Sequence, residues 1–90
     1  MLRGSCLCGA VAYEIRAAPL IMYYCHCGTC RKATGSSFAT NIAVSTKDFV
    51  IVSGREALAA FESSPNKHRY FCSRCGSPIY SHGEATKDIV

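Results

Sequence analysis

Ninety residues fit one small domain, and a chain this short buries only a modest share of its unfolded surface. Hydrophobic residues make up 49% of it and charged residues 18%, which excludes a disordered chain, and no apolar run approaches the roughly 20 residues of a membrane span. The formal charge of +4 would suit an acidic or nucleic-acid ligand, but seven thiolates holding two divalent ions would lower it to about +1, so charge selects no partner.

Short strands broken by turn residues are expected along the whole chain, with room for one or two helical turns. In "AVAYEI", Val11, Tyr13 and Ile15 alternate with Ala10, Ala12 and Glu14, so one face of this strand meets the core. Pro19 separates it from "LIMYYC", a continuous apolar run whose Tyr and Ile content favours a strand that delivers Cys25. "GTCRKATG" suits a short helix ended by Gly35. "FATNIAV" places Phe38, Thr40, Ile42 and Val44 on one face, and "STKD" leads into "FVIV", which together predict a hairpin. "REALAAFESS" is compatible with helix or strand and is assigned to strand. "PNK" turns the chain, "HRYF" runs into Cys72, and "PIYSH" forms a last strand before "EATKDIV".

The seven cysteines suit metal better than disulfides. Their number is odd, "MLRGSCLCGA" has no apolar run of signal-peptide length, and they cluster as C-x-C, C-x-C-x-x-C and C-x-x-C. A reduced, cytoplasmic setting is therefore expected. On an extended strand residues two apart share a side, so Cys6 and Cys8 can reach one ion. Cys72 and Cys75 form a zinc knuckle in which Gly76 takes a left-handed conformation. Two such pairs complete a tetrahedral four-sulfur structural zinc site that joins the two ends of the chain.

Cys25, Cys27 and Cys30 in "YYCHCGTCRK" remain as a second group. Three protein ligands leave a tetrahedral ion one open position, as in catalytic zinc sites. His26 lies between two cysteines that point the same way, so its own side chain points opposite; His68 and His82 are more distant candidates for a fourth ligand. Arg31 and Lys32 can offset the net negative charge of three thiolates on zinc, and Thr34, Ser36 and Ser37 offer hydroxyls beside the open position.

The order of "GSCLCGAVAYE", "CHCGTCRKATGSSF", a central Gly54 and "RYFCSRCGSPIY" resembles the glutathione-dependent formaldehyde-activating enzyme family, which includes centromere protein V. The resemblance implies a mainly β, zinc-stabilised β-tent related to zinc-ribbon sheets. It implies two zinc ions per chain: a structural one at Cys6, Cys8, Cys72 and Cys75, and a functional one at Cys25, Cys27 and Cys30. The implied activity is that of a carbon-sulfur lyase acting on thiol-aldehyde adducts such as S-hydroxymethylglutathione. In that reading Arg31 assists at the functional zinc, Ser36 and Ser37 line the site, and the partner is a small thiol such as glutathione.

Family domains generally continue beyond the knuckle, so residues 1–90 are expected to be a single zinc-binding domain lacking the C-terminal strands. An unpaired sheet edge left that way favours association with a second copy. Two other readings stand beside the enzyme. One is a zinc-stabilised module binding protein or nucleic acid, suggested by the basic and aromatic residues of "CRK" and "KHRYF" and weakened by the charge balance. The other is a thiol or zinc sensor built on the three-cysteine group.

Overall fold

Turn residues cut the chain into eight strands and one helix in the computed structural model, which describes residues 1–84. In chain order these are β1 (Leu2–Ser5), β2 (Ala12–Ile15), β3 (Ile21–Cys25), α1 (Gly28–Thr34), β4 (Ala39–Ala43), β5 (Phe49–Ser53), β6 (Leu58–Ser64), β7 (Lys67–Cys72) and β8 (Pro78–Gly83). They form three small antiparallel sheets in the orders β1-β2-β5, β3-β4 and β6-β7-β8. The mainly β expectation holds, and "REALAAFESS" is a strand preceded by a single 3-10 turn at Arg55–Ala57. Most of "EATKDIV" lies outside the described residues.

The short helix forms where the sequence placed it. Cys27 caps its N-terminus by accepting the Cys30 amide, and Gly35 closes it in a left-handed conformation at φ 67°. A second left-handed glycine, Gly54, sits so close to the Ala10 carbonyl that a Cβ there would collide with it. This packs the end of β5 against the loop that carries Cys6 and Cys8, and only glycine permits the approach.

The expected hairpin between "FATNIAV" and "FVIV" does not form. β4 pairs with β3, whereas β5 pairs with β2 in another sheet. The intervening turn is already fastened to the end of β2, because the Arg16 amide donates to the Asp48 carbonyl at 2.8 Å. A turn anchored there feeds β5 to β2 and not back along β4.

Thr40 and Ile42 share one face of β4 as expected, and that face is the outer one, whereas Val44 beyond the end of the strand is buried. Directly paired residues share a face, and Cys25 pairs with Ala39 and Tyr23 with Asn41, while Tyr24 pairs with Thr40 and Met22 with Ile42. Ala39 is buried, and Thr40 and Ile42 are exposed. With Cys25 and Ala39 turned inward, the register sends Thr40 and Ile42 out together. Phe38 lies on that outer side against Tyr24, and the apolar run of β3 is largely solvent-facing.

Buried hydrophobic side chains are few: Cys6, Val11, Ile15, Cys30, Ala39, Val44, Ala57 and Cys72. The main cluster joins Cys6, Val11, Ala57 and Cys72, with Ile51, Leu58 and Ile79 packed around it. The core is thus assembled around sulfur. A second adhesion is aromatic: Tyr13 meets Phe49 at 5.4 Å, Phe49 meets Tyr80 at 4.7 Å, and Tyr80 stacks on Tyr70 at 4.3 Å. This run of rings bridges the first and third sheets, and burial pushes the Tyr80 hydroxyl above its usual pKa. No helix among the described residues is long and apolar enough to cross a membrane.

Candidate metal centres

The loop after β1 brings Cys6 and Cys8 to the end of β7, where Cys72 begins the knuckle that ends at Cys75. Their four sulfurs lie within 4.8 Å of one another. Cys6 and Cys8 are 3.6 Å apart and Cys8 and Cys72 3.7 Å. Zinc-sulfur bonds of about 2.3 Å in a tetrahedron require sulfurs about 3.8 Å apart, so the four side chains fit a zinc ion. All seven cysteines are free thiols, which leaves them available as ligands.

Backbone amides donate to two of these sulfurs. Val11 donates to Cys6 Sγ at 3.3 Å and Arg74 to Cys72 Sγ at 3.4 Å. Ser77 does more than the sequence indicated. Its hydroxyl lies 3.2 Å from Cys75 Sγ and accepts the Leu7 amide at 3.0 Å, while its carbonyl accepts the Cys72 amide. One serine thereby ties the N-terminal pair to the knuckle. The Ser77 hydroxyl and amide pull the Cys75 thiol down to about 5. The Val11 amide lowers Cys6. Cys8 receives help from the Ala10 amide, but its neighbour Cys6, burial, and Cys75 and Cys72 push it up to about 11. Gly76 has φ 80°, as the knuckle requires.

The second group arises where β3 runs into α1. Cys25, Cys27 and Cys30 also place their sulfurs within 4.8 Å, with Cys25 and Cys27 3.5 Å apart. That spacing suits three ligands of one tetrahedral ion. Cys27 is exposed, Cys25 partly so, and Cys30 is the buried residue of α1. The Cys30 amide, followed by the Cys30 and Cys25 thiols, lowers Cys27 to about 7. Cys25 and burial raise Cys30.

The histidines stay apart from both groups. His26 leaves its neighbours' side and packs on Phe38 with ring centroids 5.1 Å apart, and His68 lies beside Tyr70. Among the described residues each group contains cysteines alone. The Thr34 hydroxyl donates to the Cys30 carbonyl at 2.8 Å, so it is occupied within the helix. Arg31, Lys32, Ser36 and Ser37 are exposed on α1 and the loop after it. The guanidinium that reaches a sulfur is that of Arg69, at 3.6 Å from Cys30. Arg69 stands 39 residues from Cys30 in the chain, and no local spacing could have joined them.

A family model described as glutathione-dependent formaldehyde-activating enzyme matches residues 1–90. The chain belongs to that family. A Halomonas elongata protein provisionally named a glutathione-dependent formaldehyde-activating enzyme is 35% identical over 98 aligned residues, covering 100% of this chain and 61% of that protein. An uncharacterized lyase of Schizosaccharomyces pombe is 34% identical over 77 residues, covering 86% of this chain and 54% of the lyase. The chain therefore spans between 54% and 61% of the length of these family relatives. A crystal structure of a Rhodobacter sphaeroides protein superposes with a TM-score of 0.80 at 25% identity, covering 98% of this chain and 80% of the other.

Proposed function

We propose that the chain carries the zinc-dependent carbon-sulfur lyase chemistry of its family on thiol-aldehyde adducts such as S-hydroxymethylglutathione. The observation that carries this reading is the contrast between two sulfur groups. Four cysteines form a set sufficient to complete a tetrahedral ion, and three others form an incomplete set at an exposed edge. The four-cysteine group is assigned to a structural zinc and Cys25, Cys27 and Cys30 to a functional one.

A zinc ion held by Cys25, Cys27 and Cys30 would supply a Lewis acid that lowers the pKa of a bound thiol and polarises a carbonyl oxygen. The chain's own residues hold that centre and admit the substrate. Cys27 fixes the start of α1 while presenting its sulfur outward, and buried Cys30 anchors the group to the helix. Arg31 is exposed one residue later and is assigned to attract the carboxylate of a glutathione-like thiol; the loop of Ser36 and Ser37 is assigned to line the approach. In the forward direction the thiol gives up its proton, its sulfur forms a bond to the aldehyde carbon as the carbonyl π pair moves to oxygen, and that oxygen takes up one proton, so the adduct carries the same atoms as thiol plus aldehyde. The reverse breaks the same carbon-sulfur bond.

NMR exchange spectroscopy on formaldehyde, glutathione and their adduct tests the reading. The zinc-loaded chain is expected to accelerate exchange and Cys27→Ala to abolish that acceleration. Exchange no faster with the zinc-loaded chain than without it would refute the activity for residues 1–90.

A further inference from the structure

Arg69 of β7 makes two hydrogen bonds, one out to the three-cysteine group and one within its own sheet. Its Nη2 donates to Cys30 Sγ at 3.6 Å, and its Nε donates to the Ser63 hydroxyl at 3.1 Å. Ser63 is placed by an irregularity in β6: the pairing with β7 shifts register between Glu62 and Ser64. A bulge at such a point re-aims a side chain, and here the hydroxyl beside it holds the guanidinium. Arg69, Tyr70 and Phe61 also line a cleft of about 290 Å³, together with Ala33 and Thr34 of α1.

The charges explain why a guanidinium belongs there. Three thiolates on a divalent ion carry one net negative charge, and the three sulfurs do not meet solvent equally. Cys27 is exposed and Cys25 partly exposed, so water can solvate both, whereas Cys30 is buried. A buried anionic sulfur without a partner is costly. The Arg69 fork supplies the missing donor and brings the centre to neutrality, and its second bond to Ser63 limits its freedom to swing away.

We propose that Arg69 is a positioning residue for the three-cysteine metal, holding Cys30 as a ligand and stabilising its charge, with Ser63 fixing the guanidinium in place. This rests on the reading of Cys25, Cys27 and Cys30 as a metal site. It assigns to Arg69, and not to the adjacent Arg31 or Lys32, the task of offsetting the thiolate charge.

The test uses the whole chain loaded with cadmium, whose NMR resonances distinguish four-sulfur from three-sulfur coordination, together with chelator competition for zinc. The wild-type chain is expected to show both resonances. Arg69→Met should weaken the three-cysteine metal by about 10- to 100-fold, the usual effect of removing a residue that orients a ligand, and leave the four-cysteine resonance unmoved. Arg69→Lys should restore part of the affinity while its three-sulfur resonance stays displaced, because the charge returns without the fork. Ser63→Ala should give a smaller loss at the same site.

A three-cysteine affinity in Arg69→Met within about twofold of wild type would overturn the proposal, since orienting residues have larger effects. So would an equal loss at both sites, which would make Arg69 merely a structural residue of β7. Should Arg69→Met fail to fold, unchanged affinity and resonance in both Arg69→Lys and Ser63→Ala would overturn it. A wild-type chain with only the four-sulfur resonance overturns the metal reading and this proposal together, whereas two resonances with an indifferent Arg69→Met overturn this proposal alone.

Discussion

Replacing Cys72 by Ala is expected to unfold the domain. Cys72 is fully buried, its sulfur lies 3.7 Å from that of Cys8, and it accepts the Arg74 amide. Among the described residues, its cluster contains only Val11 and Ala57 besides Cys6 as buried neighbours. Burying a valine contributes about 1.5–3 kcal/mol, and an alanine less. A structural zinc contributes about 10–16 kcal/mol in small domains that fold around it, whereas whole domains have a net stability of only about 5–15 kcal/mol. Loss of one of four ligands therefore removes more than the remaining core can replace. Circular dichroism in zinc-containing buffer should show no cooperative thermal transition for Cys72→Ala. By contrast, Cys27→Ala should lose a helix cap and the second metal but melt cooperatively within about 8 °C of wild type. A Cys72→Ala chain that melts cooperatively that close to wild type would refute the reasoning, because the apolar core would then suffice.

Two further outcomes follow from the site geometry. His26→Ala is expected to retain the wild-type metal content measured by atomic emission, because the ring packs on Phe38 instead of joining the sulfurs; loss of one metal per chain would place His26 among the ligands. Stability of the zinc-loaded chain should fall as pH is lowered from about 9 towards 5: Ser77 holds the Cys75 thiol down at about 5 against its ordinary 9.0, and a ligand thiol must be deprotonated to hold zinc, so protons compete with the metal as pH falls. Ser77→Ala removes the main cause of that depression, and urea titrations at several pH values should show its loss beginning at higher pH.

The cysteine groups were legible because metal-ligand spacing is a local property. C-x-C on a strand and C-x-x-C before a left-handed glycine each fix two sulfurs whatever lies elsewhere, and Cys6, Cys8, Cys72 and Cys75 meet as the pairing of motifs predicted. The same locality identified α1, bounded by Cys27 and Gly35. Strand partners were less legible because pairing is decided far along the chain. The turn at "STKD" looked like the tip of a hairpin, but the bond from Arg16 to Asp48 ties it to β2. Alternation grouped Thr40 with Ile42 but could not say which way they face: the inward direction of Cys25 fixes its register partners, so Ile42 is exposed despite its hydrophobicity. Arg69 and Ser77 were missed because each acts on a sulfur through a contact formed only on folding.

The two centres begin from the same C-x-C unit, and what distinguishes them is the chain that follows it. After Cys8 the backbone turns back at once: the Gly9 amide donates to the Cys6 carbonyl, the Cys6 amide donates to the Val11 carbonyl, and Val11 is fully buried. That fold-back holds the loop against the knuckle, where Ser77 binds Leu7 and two more sulfurs complete the set. After Cys27 the chain enters a helix instead. The Cys27 sulfur caps it, Cys30 arrives one turn later as its buried residue, and the third sheet contributes Arg69 where the first centre received a second cysteine pair. A cation in that place can offset charge but cannot ligate, so the sulfur set stays at three. The difference between the four-sulfur set and the three-sulfur set is therefore set by whether a distant strand brings sulfur or guanidinium to the same local motif.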